Sequence, residues 1–486
     1  MRILFSILFV LLPVLAQAAP ADDIWMSVLL DGRKIGHMHT TRAIRDGSVI
    51  TTQKMEVELD RAGAKVRLAT GETDAETMDG EPLAFTSRTA ISGIANTVQG
   101  TRRSDGRFDV VSEVGGAKST RVIDWPQGAL LAEGQRLAEL RAGLNPGTRF
   151  SQLAFQVDSL DAVAVDSTVG PRERLDLPDG DNAMLSRVDQ VIHLPDAPTR
   201  SQSWVDADGT VRKMTLPLMG YDLVMLACSQ SCANAPNQGA DILVHALAQA
   251  PDQITPRELR DGVVLTVNAR SGSAPLQFAQ TGEQRVRTTA NGVELRIAPL
   301  GAATANMAES LPAPADSQPT DWLQSDAPEI RKLARTGAGD ARTPAAQMLN
   351  LQEFVRRFIR NKDLSVGYAS ALEVAKHPEG DCTEHAVLLA ALGRALGIPT
   401  RVVDGLAYTD RYAGMEHVFV PHAWTQAWVD GRWQSFDSAL PGFDAGHIAL
   451  SAGDGDPWRF FSGMDTLGRL RIESVAPLRA EASAEK

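Results

Sequence analysis

Residues 23–226 alternate apolar and polar side chains in short segments, for example at 55–59. A period of two is typical of strands that bury one face. Asp-Gly pairs interrupt these segments, and such a pair between alternating runs favours a two-residue hairpin turn. The pairs are Asp31-Gly32, Asp46-Gly47, Asp79-Gly80, Asp105-Gly106 and Asp208-Gly209. The pattern predicts a large antiparallel sheet or open barrel, which we assign to an all-β domain over residues 22–235.

A second, smaller β unit is predicted over residues 250–300. Its strand-like runs are 263–269, 285–288 and 293–297, and Asn291-Gly292 joins the last two as a turn. Residues 301–319 are rich in Ala, Pro and Ser without an apolar period, which is typical of a linker. The linker separates a β-rich front from a segment with a different periodicity.

After the linker the apolar period changes to about three and a half residues, which indicates helices. One helix begins at Thr343-Pro344 and places these apolar residues on one face: Leu351, Phe354, Val355, Phe358 and Ile359. A second helix is predicted from Cys382 to Leu396, where Gly397-Ile398-Pro399 ends it. Strand-like runs follow at 400–403, 418–429 and 433–436. The predicted fold is therefore multidomain, with an α+β domain over residues 320–475 behind the two β units.

The first residues have the features of an export signal. Arg2 precedes an apolar run over residues 3–15, and Ala16-Gln17-Ala18 supplies the small residues of a cleavage site. We expect residues 1–18 to be a signal peptide that is cleaved near Ala18, and the mature protein to be periplasmic or secreted. The run is shorter than the ~20 residues that cross a bilayer, and no second such run follows, so the mature protein is not expected to span a membrane.

Charge and cysteine usage narrow the function classes. A net charge of -12 argues against a nucleic-acid partner, because such a partner requires a concentrated basic surface. The chain has three cysteines, of which Cys228 and Cys232 are candidates for a local disulfide. Metal binding and redox exchange are the alternatives for this pair, but no further ligand with suitable spacing lies nearby, and we expect neither a metal nor a cofactor. Cys382 is left as a single thiol, which is either buried and inert or reactive.

Cys382 lies at the start of its predicted helix, in Gly380-Asp381-Cys382-Thr383-Glu384. The unpaired N–H groups and the positive dipole end of a helix favour an anion there. Because the thiolate is the reactive form of cysteine, this position predicts a lowered thiol pKa and a nucleophile.

A hairpin supplies the partners of this thiol. The run 420–429 alternates so that His422 and Trp424 share a face, and Asp430-Gly431 follows it as a turn. A two-residue turn pairs Val429 with Arg432 and places Asp437 opposite Trp424, diagonally across from His422. We therefore predict a His–Asp pair on one face of the hairpin.

Packing the hairpin on the helix start would complete a thiol triad. Cys382 would attack a carboxamide or peptide carbonyl, His422 would protonate the leaving amine, and Asp437 would orient His422. The backbone N–H of Cys382 is the natural first oxyanion donor. Trp424 is a candidate wall of the substrate site, with a plain core role as the alternative. His385 is a rival base, one helical turn from the thiol, whereas His447 is expected in a surface or loop position.

Four runs together resemble the bacterial transglutaminase-like superfamily, over roughly residues 322–440. They are Gly380-Asp381-Cys382-Thr383-Glu384-His385-Ala386, Arg394-Ala395-Leu396-Gly397-Ile398-Pro399-Thr400-Arg401-Val402-Val403, His422-Ala423-Trp424 and Phe436-Asp437. The resemblance implies a papain-related α+β core with a Cys-His-Asp triad at Cys382, His422 and Asp437. It leaves the reaction open, since relatives include crosslinking acyltransferases and peptidases.

Two function classes remain. The first is an extracytoplasmic cysteine enzyme that acts on amide bonds of a protein or peptide substrate, by peptide hydrolysis or by glutamine acyl transfer. The second is a non-catalytic module that binds or assembles a peptide or cell-envelope component, and the large β-rich front motivates it. Reactivity of the Cys382 thiol in the folded protein distinguishes the two, because only the enzyme requires a depressed thiol pKa.

Overall fold

The computed structural model describes residues 22–479 except for 62–63, 92–93, 195–197, 219–220, 242–245, 271–275, 291, 300–309, 363–367 and 457–466. The predicted signal peptide and the first part of the predicted linker therefore lie outside the described residues. Among the helices that are described, none has the length and apolar character needed to cross a bilayer.

One 15-stranded sheet accounts for the front of the chain. Its strands are β1 Asp22–Leu30, β2 Arg33–Arg45, β3 Ser48–Arg61, β4 Ala64–Thr77, β5 Pro82–Ile91, β6 Ile94–Arg102, β7 Phe108–Val114, β8 Ala117–Ile123, β9 Ala129–Leu130, β10 Arg149–Gln156, β11 Asp161–Asp176, β12 Asn182–His193, β13 Pro198–Val205, β14 Val211–Leu218 and β15 Tyr221–Cys228. The strand order is β8-β7-β6-β5-β4-β3-β2-β1-β15-β14-β13-β12-β11-β10-β9. Two meanders thus meet where β1 pairs with β15.

All five Asp-Gly pairs lie in hairpin connections, but they differ in length. Asp31-Gly32 and Asp46-Gly47 form two-residue turns, whereas the other three pairs lie in loops of four or five residues. Asp31 and Gly32 have φ values of 50° and 72°, as a tight two-residue turn between twisted strands requires. The Phe85 ring of β5 lies 5.5 Å from the Phe155 ring of β10. These strands are far apart in the strand order, so the sheet curves back on itself. Helix α1 (Ala132–Ala142) follows β9, and its first N–H groups donate to the Glu76 carboxylate on β4. The antiparallel β region predicted for the front of the chain is therefore present.

The small β unit is a four-stranded sheet that the end of the chain completes. After helices α2 (Gln230–Ala233) and α3 (Pro256–Asp261), strands β17 (Val263–Ala269), β18 (Gln284–Thr289) and β19 (Gly292–Ile297) form the predicted run. The sheet order is β18-β19-β17-β24, with β24 at Leu470–Pro477. Sequence periodicity did not predict β24, which comes from within the segment assigned to the α+β domain.

The described residues after the predicted linker form four α-helices and, together with the earlier strand β16, a five-stranded antiparallel sheet. The helices are α4 Pro328–Ala338, α5 Pro344–Phe358, α6 Ala371–Lys376 and α7 Cys382–Ala395. The strands are β16 Ala248–Gln249, β20 Thr400–Tyr412, β21 Met415–Val429, β22 Arg432–Phe436 and β23 His447–Gly453. The sheet order is β16-β21-β20-β23, and β22 pairs with β21. The two predicted helices and the hairpin are therefore confirmed, each to within a few residues.

Helix α7 lies at the centre of this region. Residues 383–394 are all buried. The sheet covers one side, where Thr425 of β21 and Thr400 of β20 donate to carbonyls of α7. Helices α4, α5 and α6 pack on the other sides. A helix enclosed in this way holds its first residue, Cys382, at a fixed place.

Candidate active site

Cys382 is the first residue of α7, and local hydrogen bonds fix this helix start. The Asp381 carboxylate accepts from the Thr383 N–H at 3.0 Å, and Glu384 Oε2 accepts from the Asp381 N–H at 2.9 Å. This reciprocal arrangement is a capping box, which the sequence Asp381-Cys382-Thr383-Glu384 encodes. Burial raises the pKa of Glu384 well above its ordinary value, which favours the neutral form of this carboxyl.

Gly380 has a packing role at this start. Its φ is 141°, and a Cβ atom there would lie 2.3 Å from Cγ of Glu384. In the structure the side chain of the capping residue Glu384 occupies that space, so the glycine serves the helix start.

His422 and Asp437 come together on the predicted hairpin. Val429 pairs with Arg432 in the expected register, and Asp430 and Gly431 form the turn with φ values of 52° and 79°. Nε2 of His422 lies 2.7 Å from Oδ2 of Asp437. Both side chains are buried, with exposed fractions of 5% and 1%.

The Asp437 carboxylate is surrounded by donors. Its Oδ1 atom accepts from the backbone N–H groups of Ala439 at 2.7 Å and Leu440 at 3.0 Å. Burial alone would raise the pKa of Asp437, but the neighbouring imidazoles of His422 and His447 hold it below its ordinary value. The carboxylate is therefore ionised at neutral pH.

Two hydrogen bonds join the helix start to the hairpin. The Thr425 hydroxyl, three residues after His422, donates to the Ala386 carbonyl at 2.9 Å. The Ser438 hydroxyl, next to Asp437, donates to the His385 carbonyl at 3.4 Å. Both acceptors lie within about one turn of Cys382, which is partly exposed. The structure thus places the first turn of α7 against both segments that carry the His–Asp pair.

His447 also belongs to this cluster, and its expected surface or loop position was wrong. It is 2% exposed at the start of β23, and its Nε2 atom lies 3.0 Å from Oδ2 of Asp437. Strand β23 reaches the site because it pairs with β20, where His447 is opposite Ala407. The short apolar run after His447 was the available sequence signal, but a strand partner so distant in sequence was not predictable from it.

Trp424 supports the cluster from behind. It is 1% exposed, and its indole N–H donates to the Ser435 hydroxyl at 3.1 Å. Its ring is stacked with that of His422 at 6.3 Å and meets that of His447 edge-on at 5.2 Å. The indole is enclosed by its own strands, so it does not form an accessible wall of a substrate site.

The rival base His385 is bound to its own helix. Its Nδ1 atom lies 2.6 Å from the Asp381 carbonyl oxygen, so Nδ1 carries the proton. Burial lowers its pKa, and the side chain is 1% exposed. Unlike His422, it has no carboxylate at hydrogen-bond distance among the described residues.

Cys228 and Cys232 are free thiols in the structure. Both sulfur atoms approach the Ser27 hydroxyl, at 3.4 and 3.5 Å. The disulfide is not formed here and stays a prediction for oxidising conditions. Burial raises the pKa of Cys228 to about 11, which makes it a poor nucleophile at neutral pH.

Two groups of side chains within the described part of the chain bring three potential ligand atoms within 4.8 Å of one another. One comprises Asp179, Cys228 and Cys232, and its carboxylate already accepts from the N–H and hydroxyl of Ser229. The other is the His422, Asp437 and His447 cluster, whose contacts of 2.7 and 3.0 Å are hydrogen-bond distances. A hydrogen-bond network accounts for the second group without an ion.

Residues 331–438 match the sequence profile of the transglutaminase-like superfamily. No curated protein matches the chain. A structure from Cytophaga hutchinsonii described as a "putative cysteine protease" is 17% identical, with 46% of this chain and 91% of that chain covered and a TM-score of 0.28. A β-barrel-like protein of a domain of unknown function from Brucella abortus is 15% identical, with 43% and 95% covered and a TM-score of 0.33. The profile match identifies a transglutaminase-like domain in the C-terminal part of the chain.

Proposed function

Because residues 331–438 belong to the transglutaminase-like superfamily, we propose that the protein is an extracytoplasmic, cysteine-dependent enzyme that acts on amide bonds through Cys382, His422 and Asp437. The observation that carries the proposal is the buried 2.7 Å contact between His422 Nε2 and Asp437 Oδ2, on a hairpin hydrogen-bonded to the first turn of the Cys382 helix. The extracytoplasmic location is proposed from residues 1–18 of the sequence.

In the proposed mechanism the two ring nitrogens of His422 have different tasks. Nε2–H donates to Asp437, which leaves Nδ1 as the nitrogen that exchanges a proton with the thiol. Proton transfer from Cys382 to Nδ1 gives a thiolate and an imidazolium, and the buried Asp437 carboxylate stabilises the imidazolium. The first-turn N–H groups of α7 stabilise the thiolate.

The thiolate then attacks the carbonyl carbon of the amide substrate, and a C–S bond forms. The carbonyl oxygen becomes an oxyanion, which the Cys382 backbone N–H stabilises. The C–N bond breaks as Nδ1–H of His422 protonates the leaving amine. Water or a second amine, deprotonated by His422, attacks the thioester, so that the thiolate leaves and an acid or a new amide is released.

Thiol labelling tests the nucleophile directly. We expect iodoacetamide to label Cys382 rapidly at pH 6 in the folded protein, since a thiolate–imidazolium pair ionises well below the ordinary thiol pKa of about 8.5. Cys228 is a control within the same chain because its pKa is raised to about 11, and peptide mass spectrometry separates the two sites. Labelling of Cys382 only after unfolding would favour the non-catalytic binding module.

Activity measurements test the reaction. Casein, alone or with a fluorescent primary amine, reports hydrolysis as new amino termini and acyl transfer as incorporated amine. We expect Cys382→Ala to abolish any product formed by the wild type, while the matched variant Cys228→Ala retains it. Retention of full activity in Cys382→Ala would exclude the proposal.

A further inference from the structure

We infer that His447 is a positioning residue: as a buried cation it holds the Asp437 carboxylate and limits how strongly that carboxylate attracts a proton onto His422. The inference deepens the proposed function, on which it rests. His447 contacts Asp437 and is neither the nucleophile nor the base. It acts on the triad by changing how strongly His422 holds a proton.

The first observation is that one carboxylate oxygen serves two imidazoles. Oδ2 of Asp437 lies 2.7 Å from Nε2 of His422 and 3.0 Å from Nε2 of His447. Both contacts are buried, since each of the three residues is at most 5% exposed. A charge in such a place interacts strongly with its neighbours, because water screens it poorly.

The second observation concerns the other nitrogen of His447. Nδ1 lies 3.0 Å from Oδ1 and 3.1 Å from the carbonyl oxygen of Asp444, whereas the Asp444 N–H approaches it at the longer distance of 3.4 Å. Both ring nitrogens therefore face oxygen acceptors at close range. An imidazole that donates from both nitrogens is a cation.

The charges around the ring agree with this protonation state. The titratable groups that face His447 are Asp437 and Asp444, with His422 across Asp437 at 5.6 Å between ring centroids. The rings of Trp424 and Phe443 also pack against it. Burial alone would lower the pKa of His447, but the hydrogen bonds with the two carboxylates raise it to about 9.

A second cation hydrogen-bonded to Asp437 weakens the stabilisation that this carboxylate gives to the His422 imidazolium. A lone buried carboxylate would stabilise the His422 imidazolium strongly. The imidazolium of His447 neutralises part of that carboxylate charge, so His422 releases its proton more readily. A base that must accept and donate a proton in each cycle works best with a pKa near the working pH.

The pH dependence of the Cys382 alkylation rate measures how readily His422 loses its proton, and it requires no substrate. In a thiolate–imidazolium pair the iodoacetamide rate rises in two steps, first as the thiol ionises and then as His422 loses its proton. In His447→Gln the amide can still donate to Asp437 but carries no charge. We expect its upper step to move to higher pH by about one unit.

Two further variants keep the test decisive. Asp444→Asn leaves His447 in place but removes one carboxylate that favours its cation, so the upper step should move in the same direction by less. Asp444 is 40% exposed, so this variant gives a result if His447→Gln fails to fold. His417→Gln is the matched control, because His417 contacts the Tyr408 hydroxyl away from the triad and should leave both steps unchanged.

The outcomes separate the inference from the proposed function. A wild-type profile with a single step at the ordinary thiol pKa would overturn the ion pair, and with it both proposals. Two steps in the wild type that stay in place in His447→Gln and Asp444→Asn would overturn the role of His447 alone. A shift of the upper step in both variants, and none in His417→Gln, is the supporting result.

Discussion

The hydroxyl of Thr425 donates to the carbonyl oxygen of Ala386 at 2.9 Å, and this bond ties the strand of His422 to the first turn of the Cys382 helix. Thr400 makes an equivalent bond, at 2.7 Å, from β20 to the Ala390 carbonyl, one helical turn further from the thiol. Both threonines are fully buried. The chain therefore contains two similar helix–sheet ties that differ in their distance from the candidate nucleophile.

Thr425→Val is expected to slow Cys382 alkylation at pH 6 by about tenfold, because small displacements of paired catalytic groups have large effects on rate. Valine keeps the shape of threonine but cannot donate a hydrogen bond. Each of the two variants, Thr425→Val and Thr400→Val, should therefore lower the free energy of unfolding by about 1 kcal/mol. Thr400→Val should show the stability loss with little change in rate. Equal rate effects in the two variants would show that the Thr425 tie does not position the thiol.

The structural features that the sequence predicted correctly are those fixed by local rules. The Asp-Gly turn determines the register of the β21–β22 hairpin, and that register places His422 beside Asp437. The helix start follows from the Asp381 and Glu384 capping box. Each of these features depends on residues that are close together in the chain.

The parts that were missed depend on contacts between distant segments. His447 reaches Asp437 because β23 pairs with β20, and β24 completes a sheet whose other strands precede the helical region. Trp424 shows a second limit. Alternation along β21 predicted which residues share its face, but Ala423 and Trp424 are each 1% exposed, so both faces of the strand are buried. A period of two cannot identify the accessible face of such a strand.

The protonation of His447 also predicts how stability depends on pH. Its folded-state pKa of about 9 lies above the ordinary value of 6.5. The group therefore contributes stability that is fully present below pH 6.5 and is lost as the pH rises through 9. At about 1.4 kcal/mol per pKa unit, the stabilisation is at most about 3.5 kcal/mol.

Thermal unfolding of the wild type and His447→Gln at pH 6, 7.5 and 9.5 measures this contribution. We expect the difference in midpoint between the two proteins to be largest at pH 6 and to shrink steadily toward pH 9.5. His417→Gln serves again as the control, and its offset from the wild type should not follow this trend. A His447→Gln offset that is constant with pH would mean that folding leaves the pKa of His447 at its ordinary value, and would contradict the buried cation.

Helix α1 carries two glutamates with opposite expected behaviour. Burial raises the pKa of Glu139 to about 7, and its Oε1 atom is buried without a hydrogen-bond partner in the described part of the chain. Burial would also raise the pKa of Glu133, but hydrogen bonds from Arg136 and Arg42 lower it to about 2. The folded protein thus favours the neutral form of Glu139 and the charged form of Glu133.

Glu139→Gln is therefore expected to stabilise the protein at high pH. Below pH 4 both the wild type and the variant are neutral at this position, and their unfolding midpoints should agree. As the pH rises from 4.5 to 7, the folded wild type must keep the Glu139 carboxyl protonated or bury its charge, and either costs free energy. At pH 8 the variant should therefore be more stable by about 1 to 3 kcal/mol, a range that allows for the partial exposure of the side chain. Glu133→Gln should show the opposite sign, with a loss of stability at pH 8 because its ion pairs with Arg42 and Arg136 are removed. Thermal midpoints at pH 4, 6 and 8 test both expectations. A Glu139→Gln protein that is no more stable than the wild type at pH 8 would show that the wild-type carboxylate is solvated when ionised.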